Sequence, residues 1–357
     1  MPLPTLSELL KRMVDSGGSD LHLTTNSPPR VRVHGELKPL DDVPPLGPAE
    51  TKQLAYSILT DAQKHRFEEG LELDFSFGIK NIARFRGNLF NQRGAVAGVF
   101  RVIPFEIKTF EQLKLPQVLR KLCEKPRGLI LVTGPTGSGK STTLATMLDL
   151  INETRYEHML TIEDPIEFIH PHKKCLVNQR EVHADTHSFG NALRAALRED
   201  PDVVLIGEMR DQETIEAALT LAETGHLIFG TLHTSDCVQT INRIIDVFPA
   251  YQQSQIRTQL SFTVQAVFCQ QLLPIAHGKG RVLACEIMIA NMAIRALIRD
   301  DKGHQIYSII QTGGKEGMRT MNASLSELYK AGQITFEEAV AHSGDVEDLK
   351  RMCQMRA

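Results

Sequence analysis

The run Gly134, Pro135, Thr136, Gly137, Ser138, Gly139, Lys140, Ser141 and Thr142 constrains this chain more than any other stretch. It follows the apolar run Gly128-Leu-Ile-Leu-Val-Thr133 and precedes Thr143-Leu-Ala-Thr-Met-Leu-Asp-Leu-Ile151. The first has the leucine and β-branched composition of a buried strand, and Leu144, Met147, Leu148 and Ile151 fall at helical spacing. Between them stands G-x-x-x-x-G-K-[ST], in the strand–loop–helix context that gives the motif its meaning. Its glycines let successive N–H groups turn inward and approach a polyphosphate closely. The helix that starts there adds the positive end of its dipole. Lys140 is placed to reach β- and γ-phosphates and the Ser141 hydroxyl to help hold Mg²⁺. A glycine-rich turn with no ligand is the bland alternative, and the context weighs against it. The stretch implies a nucleoside triphosphate.

At 357 residues the chain has room for two domains or one large one. The balance of 40 Lys+Arg against 43 Asp+Glu, net −3, offers no global basic field for nucleic acid. Cys123, Cys175, Cys237, Cys269, Cys285 and Cys353 include no C-x-x-C pair, which fits reduced thiols and supports neither a disulfide framework nor a zinc site. No apolar run reaches the length of a membrane span, and Met1-Pro-Leu-Pro-Thr-Leu-Ser-Glu lacks the regions of a signal peptide. The expectation is a soluble, intracellular protein, attached to a membrane only through a partner.

In chain order, Leu6, Leu9, Leu10, Met13 and Val14 predict a helix stopped by Gly17-Gly18, and residues 19–24 and 30–34 alternate as strands. Helices are expected over about 49–59 and 62–69, and strands over 71–77, 83–90 and 95–103. Residues 1–103 thus read as a small α+β domain, 104–117 as a linker, and 118–357 as a second domain. There strands at 128–133, 159–163, 176–178, 203–208 and 227–233 alternate with helices at 143–151, 189–199 and 212–224. That alternation predicts a mostly parallel sheet with the nucleotide at its carboxyl edge. From Val238 onward the chain reads as largely helical, with one further strand at 281–288.

Carboxylates gather at strand ends. Val203-Val-Leu-Ile-Gly-Glu208 is a Walker B strand in outline, with Gly207 where an Asp is usual. Glu208 is then left to place Mg²⁺, to activate water, or to do both. Thr161-Ile-Glu-Asp-Pro-Ile-Glu167 places Glu163 and two further acids around a turn, able to position Mg²⁺ waters and polarise the attacking water. Either cluster alone equally describes a solvated loop. His226 and His233 flank one strand, readable as γ-phosphate sensors or as satisfied core and surface residues. Arg84, Arg86, Arg93 and Arg101 crowd the end of the first domain, either as a solvated sheet face or as arginine fingers for a neighbouring subunit.

Together GPTGSGKST, TIEDPIE, LREDPDVVLIGEMRD and TGHLIFGTLHT resemble the motifs of the type II/IV secretion and type IV pilus ATPase superfamily. Val177-Asn-Gln-Arg-Glu-Val182, Ser19-Asp-Leu-His22 and Gln311-Thr-Gly-Gly314 resemble its pilus-retraction branch. The resemblance implies a small PAS-like N-terminal domain and a RecA-like P-loop ATPase domain with a helical C-terminal part. It implies a cytoplasmic ring hexamer at the inner-membrane base of the pilus machine, with a platform protein and an accessory retraction ATPase as partners. ATP and Mg²⁺ would be bound by Gly134–Thr142, Glu163 and Glu208, with His226 and His233 in the site. Arg86 and Arg101, and after them Arg84, would complete it from an adjacent subunit. One departure stands out: the branch reads AIRNLIR where Ala293-Ile-Arg-Ala-Leu-Ile-Arg299 carries Ala296. There Arg295 and Arg299 are read as coupling ring motion to the retraction machinery, or else the stretch simply packs. Alternatives are a pilus-assembly or type II secretion ATPase, which typically carries a tetracysteine insert lacking here, an accessory paralogue, a nucleotide sensor and a nucleic-acid translocase.

Overall fold

The computed structural model describes residues 3–80, 82–103, 106–278 and 280–354. Met1 and Pro2, the Pro104–Phe105 start of the expected linker, and the last three residues of the expected second domain lie outside the described residues. Two compact units emerge: Met1–Glu106 with Pro165–Ile169, and Ile107–Asp164 with His170–Ala357.

In the first unit, helix α1 (Leu6–Asp15) begins at a capping box, where Glu8 Oε2 accepts the Thr5 N–H at 2.7 Å. It buries Leu6, Leu9, Leu10 and Met13, the stripe that the spacing predicts. Gly18 follows because a Cβ there would stand 2.4 Å from Val31 Cγ1. Strands β1 (Asp20–Leu23), β2 (Arg30–Val33) and β3 (Glu36–Pro39) precede α2 (Pro48–Tyr56) and α3 (Asp61–Gly70), and β4 (Glu72–Ile79), β5 (Ala83–Gln92) and β6 (Ala95–Ile103) close the unit. All pair antiparallel in the order β3-β2-β1-β6-β5-β4. β3 was not expected, since a short polar edge strand has no alternation to betray it. It is formed by a tight turn at His34 (φ 53) and Gly35 (φ 88). Phe67, Phe85, Leu89 and Phe100 fill the core.

The second unit opens with α4 (Phe110–Leu113) and α5 (Val118–Cys123). Phe110 and Leu115, within the stretch read as a linker, are buried with Leu119 and Leu144 in this unit's core. Then come β7 (Gly128–Thr133), α6 (Lys140–Thr154), β8 (His158–Glu163), β9 (Leu176–Glu181), α7 (Phe189–Ala196), β10 (Val203–Ile206), α8 (Gln212–Glu223) and β11 (Leu227–Leu232). After α9 (Cys237–Asp246) and α10 (Ala250–Thr263) the chain forms β12 (Val264–Pro274) and β13 (Arg281–Ile289). The last helices are α11 (Met292–Arg299), α12 (Ile306–Thr312), α13 (Met321–Lys330), α14 (Phe336–Ala341) and α15 (Val346–Gln354). The seven-stranded sheet runs β13-β12-β7-β11-β10-β8-β9 and is parallel except for β13.

β12 corrects the largely helical reading of the C-terminal part. It lies inside the larger sheet, second from its edge, between β13 and the phosphate-loop strand β7, to which it runs parallel. No turn residue separates it from α10, whose C-cap is Val264 itself at φ −62 and ψ 130. A strand buried on both faces has no alternation and reads like a buried helix. The fold also gathers Cys237, Cys269 and Glu286, whose ligand atoms all lie within 4.8 Å of one another. Glu286 is engaged there by two helix starts, accepting the N–H of Cys237 (2.8 Å) and of Met321 (3.3 Å). Among the described residues no helix is long and apolar enough to cross a membrane.

Candidate active site

Parallel pairing sets the site. Thr133 at the end of β7 is level with Leu232 on β11 and Cys269 on β12, while Ile206 on β10 is level with Ile162 on β8. The residues that follow these positions all emerge at the carboxyl edge of one sheet. They are the phosphate loop, His233, Gln270, Glu208 and Glu163.

The loop runs from Gly134 to Gly139, and α6 begins at Lys140. Gly134, Gly137 and Gly139 have φ of 139°, 80° and 89°, a region closed to most side chains. At Gly134 a Cβ would also stand 2.2 Å from the Gln270 carbonyl oxygen. Lys140 Nζ donates to the carbonyls of Gly134 (2.8 Å) and Pro135 (3.2 Å), folding its charge back over the loop. The backbone curvature, the helix start and this ammonium together suit a polyphosphate.

Glu163 ends β8 and is buried, its Oε1 accepting from Thr161 Oγ1 at 2.7 Å and Gln179 Nε2 at 3.4 Å. Gln179 also accepts the His170 N–H at 2.8 Å, which fixes its amide. Of the two further acids of that turn, Asp164 and Glu167 are exposed, and Glu167 falls in the segment grouped with the first unit. Glu208 lies two residues past β10, its Oε1 3.0 Å from His233 Nε2 and also paired with Arg210. The hydrogen bond and charge of Glu208 raise the pKa of the Arg210 guanidinium. Thr231 Oγ1 donates to the Gly207 carbonyl at 2.5 Å, strapping this turn to β11. At Gly207, where an Asp is usual, a Cβ would fit tightly, 3.2 Å from both Glu163 Cα and the Ile162 carbonyl oxygen. The neighbouring strand supplies the buried carboxylate instead.

The two histidines do not share a site within one subunit. β11 runs between them, and its first residue pairs with Gly128, at the edge away from the phosphate loop. His226 sits at that far edge, its Nδ1 2.9 Å from the Leu221 carbonyl at the end of α8. Only His233 reaches the nucleotide edge. A strand separates its two flanks by its whole length, so pairing them in sequence did not pair them in space.

In the first unit Arg86 and Arg101 face each other across β5 and β6. Arg101 Nε donates to Asp20 Oδ1 at 2.7 Å, and Ser19 Oγ holds the other oxygen at 2.7 Å. Asp20 is buried, which pushes its pKa up, yet the bonds from Ser19 and Arg101 outweigh this and hold it below the usual carboxylate range. Arg101 nonetheless keeps 66% of its side chain exposed, so it is aimed without being consumed. Arg86 lies 3.8 Å from Asp74, and Arg84 donates to Ser76 at 2.6 Å. Arg93 occupies the turn between β5 and β6 at φ 47.

Arg295, read either as a coupling residue or as packing, is engaged within its own subunit. Its Nη1 donates to the carbonyls of Ser261 (2.6 Å) and Phe262 (2.8 Å), closing the C-terminal turn of α10. Burial pushes its pKa down. Asn291 caps α11, and Ile294 and Ile298 are buried beneath it. Arg295→Ala is therefore expected to lower stability by about 1–3 kcal/mol, the range for bonds from a charged donor. Thermal unfolding checks this against Arg299→Ala, whose guanidinium pairs with Asp300 at 3.5 Å. Equal melting temperatures would show that the cap carries no weight.

A phosphate loop heading a parallel sheet, with carboxylates at the neighbouring strand ends, defines a P-loop ATPase of RecA-like type. The model of the type II/IV secretion system protein family matches residues 102–341, and the chain belongs to that family. It is 54% identical over 334 residues to the type IV pilus retraction ATPase PilT of Pseudomonas aeruginosa, covering 94% of this chain and 96% of that one. It is 51% identical over 321 residues to a twitching motility protein of Neisseria gonorrhoeae, covering 90% and 86%. A solved structure of the pilus retraction motor PilT with bound ADP superposes with a TM-score of 0.92 at 52% identity, over 98% of this chain and 99% of that one.

Proposed function

We propose that this chain is an ATP-hydrolysing motor that powers type IV pilus retraction and hence twitching motility. The observation that carries it is near full-length similarity to a retraction ATPase, supported by a phosphate loop with Lys140 and Ser141 at the same sheet edge as Glu163 and Glu208. In this reading residues 1–103 and 118–357 are the two working domains, and copies of the chain assemble as a cytoplasmic homohexamer. The ring works against a platform protein in the inner membrane, with an accessory ATPase as a further partner and no nucleic acid.

Gly134–Thr142 wrap the phosphates, and Lys140 swings from its own loop carbonyls to the β/γ-phosphates. The oxygens of Ser141, Glu163 and Glu208 suit a hard divalent cation, the last two through water. Mg²⁺ supplies charge neutralisation at the β- and γ-phosphate oxygens when bound. Glu163, oriented by the Thr161 hydroxyl and the Gln179 amide, serves as the base, and Glu208 is engaged by Arg210 and His233. It takes the proton of the attacking water. Glu208 and His233 form a pair that responds to the γ-phosphate.

Arg101, aimed by Asp20, and Arg86 beside it serve the site of an adjacent subunit, where such an arginine contributes roughly 10³–10⁵ in rate. Arg101→Ala is expected to leave ADP affinity within about threefold and to depress turnover at least a hundredfold, toward that arginine's whole contribution. Mixed with Lys140→Ala subunits it should regain activity, since one interface then holds both intact halves. No recovery in rings shown to be mixed would place the arginines outside the site.

The functional reading is tested by deleting the gene and restoring it with wild-type or Lys140→Ala protein. Piliated cells that cannot twitch, rescued only by the wild type, are the expected result. Loss of pili altogether would favour an assembly ATPase, and normal twitching would remove the proposal.

A further inference from the structure

A phosphate loop that turns its N–H groups inward must turn carbonyls outward, and those oxygens need donors. Lys140 serves Gly134 and Pro135, but its ammonium is the group committed to the phosphates. The remaining support comes from the β12–β13 hairpin, whose first strand the sequence did not announce. Gln270, only 1% exposed, donates Nε2 to the Ser138 carbonyl at 2.6 Å, and Arg281 Nη1 reaches the Gly137 carbonyl at 3.3 Å. The contact is close along the whole strand: a Cβ on Gly134 would strike the Gln270 carbonyl at 2.2 Å, and one on Gly139 would lie 3.1 Å from Gln270 Nε2.

Among the described residues, two polar atoms at this place have no hydrogen-bond partner. Ser138 Oγ and Gln270 Oε1 are both buried without a hydrogen bond. One is a donor and the other an acceptor, on residues already joined through Ser138 O and Gln270 Nε2. Such buried groups are costly to leave open, and a bond between them would satisfy both. On the other face of the strand the next residue, Gln271, has its Oε1 2.5 Å from His342 Nδ1, beyond α14. Adjacent residues of one strand therefore hold the phosphate loop and the C-terminal helices.

We propose that Gln270 is a positioning residue of the nucleotide site, setting the curvature of the phosphate loop through the Ser138 carbonyl. Phosphate entry closes the Ser138 hydroxyl onto the Gln270 amide oxygen, so nucleotide state is registered on β12. The proposal rests on the nucleotide reading given above. It adds to that reading a residue outside every nucleotide motif.

The test uses the full chain, with the dissociation constant of a fluorescent ADP analogue measured in Mg²⁺ buffer. Melting temperatures with and without ADP are read alongside. Gln270→Met keeps the volume and removes both amide groups, and Ser138→Ala keeps the carbonyl contact while removing the hydroxyl. Gln270→Met is expected to weaken binding about tenfold or more, the scale of one well-placed hydrogen bond. It should also shrink the ADP-induced rise in melting temperature. Ser138→Ala is expected to weaken binding about threefold, and the double variant no further than Gln270→Met alone, because the coupled pair is then already broken. A folded Gln270→Met with wild-type affinity, even if less stable without nucleotide, overturns the proposal by showing a purely structural residue. If Gln270→Met does not fold, wild-type affinity in Ser138→Ala overturns it, and a threefold or larger loss supports it. Wild-type protein that binds no ADP would overturn this proposal and the nucleotide reading together.

Discussion

Lys140→Ala is expected to stop ATP hydrolysis, with turnover falling at least about a hundredfold, the scale of removing one preorganised donor from developing charge. The ammonium in question spans 2.8 Å to the Gly134 carbonyl and 3.2 Å to that of Pro135, so it already lies over the loop. Removing it leaves those carbonyls to water and removes a point charge from the phosphates. The fold should survive, because Lys140 is the first residue of α6 and the core contacts of that helix come from Leu144, Met147, Leu148 and Ile151. Steady-state phosphate release and circular dichroism on the same preparation check both halves. Wild-type turnover in a folded variant would remove the assignment of this loop as the catalytic phosphate site.

The second large effect separates the two carboxylates. Glu163→Gln preserves size and burial but cannot take a proton, and is expected to lower turnover by about 10²–10⁴, the range for a general base. Glu208→Gln should cost less, at least tenfold, since that carboxylate is paired with Arg210 and His233 and acts by placing charge. Both variants should bind ATP. Single-turnover measurements with trapped nucleotide distinguish slow chemistry from slow release. A Glu208→Gln rate below that of Glu163→Gln would exchange the two roles, and near wild-type rates in both would mean that the base lies elsewhere.

Much of this site is legible in one dimension because its chemistry is local. The phosphate loop needs glycines, a lysine and a hydroxyl at set spacing between a strand and a helix, and all of these lie within a few residues of one another. Glu163 and Glu208 are visible for the same reason, each following a short apolar run. What surrounds them is less visible. Thr161 and Gln179 orient Glu163, yet nothing in the residue types of a Thr and a Gln on two strands announces that they meet. Asp20 belonged to a recognised signature, Ser19-Asp-Leu-His22, but its task of holding Arg101 required the pairing of β1 with β6. Arg295 is similar: its bonds to the Ser261 and Phe262 carbonyls at the end of α10 depend on how α11 packs against α10.

The sequence by itself determined that the chain carries a phosphate-binding loop motif, that its second part builds a mostly parallel sheet, and which charged side chains follow its strands. These follow from spacing, from apolar runs and from the fixed geometry of helix starts. Tertiary structure alone decided that His233 reaches the site while His226 stands at the far edge, and that Gly207 yields its place to Glu163. It also decided that Val264–Pro274 is a strand that presses Gln270 against the phosphate loop. Each of these depends on which strands lie side by side and in what register, and that is set by burying both faces of a sheet at once, a condition no single segment contains.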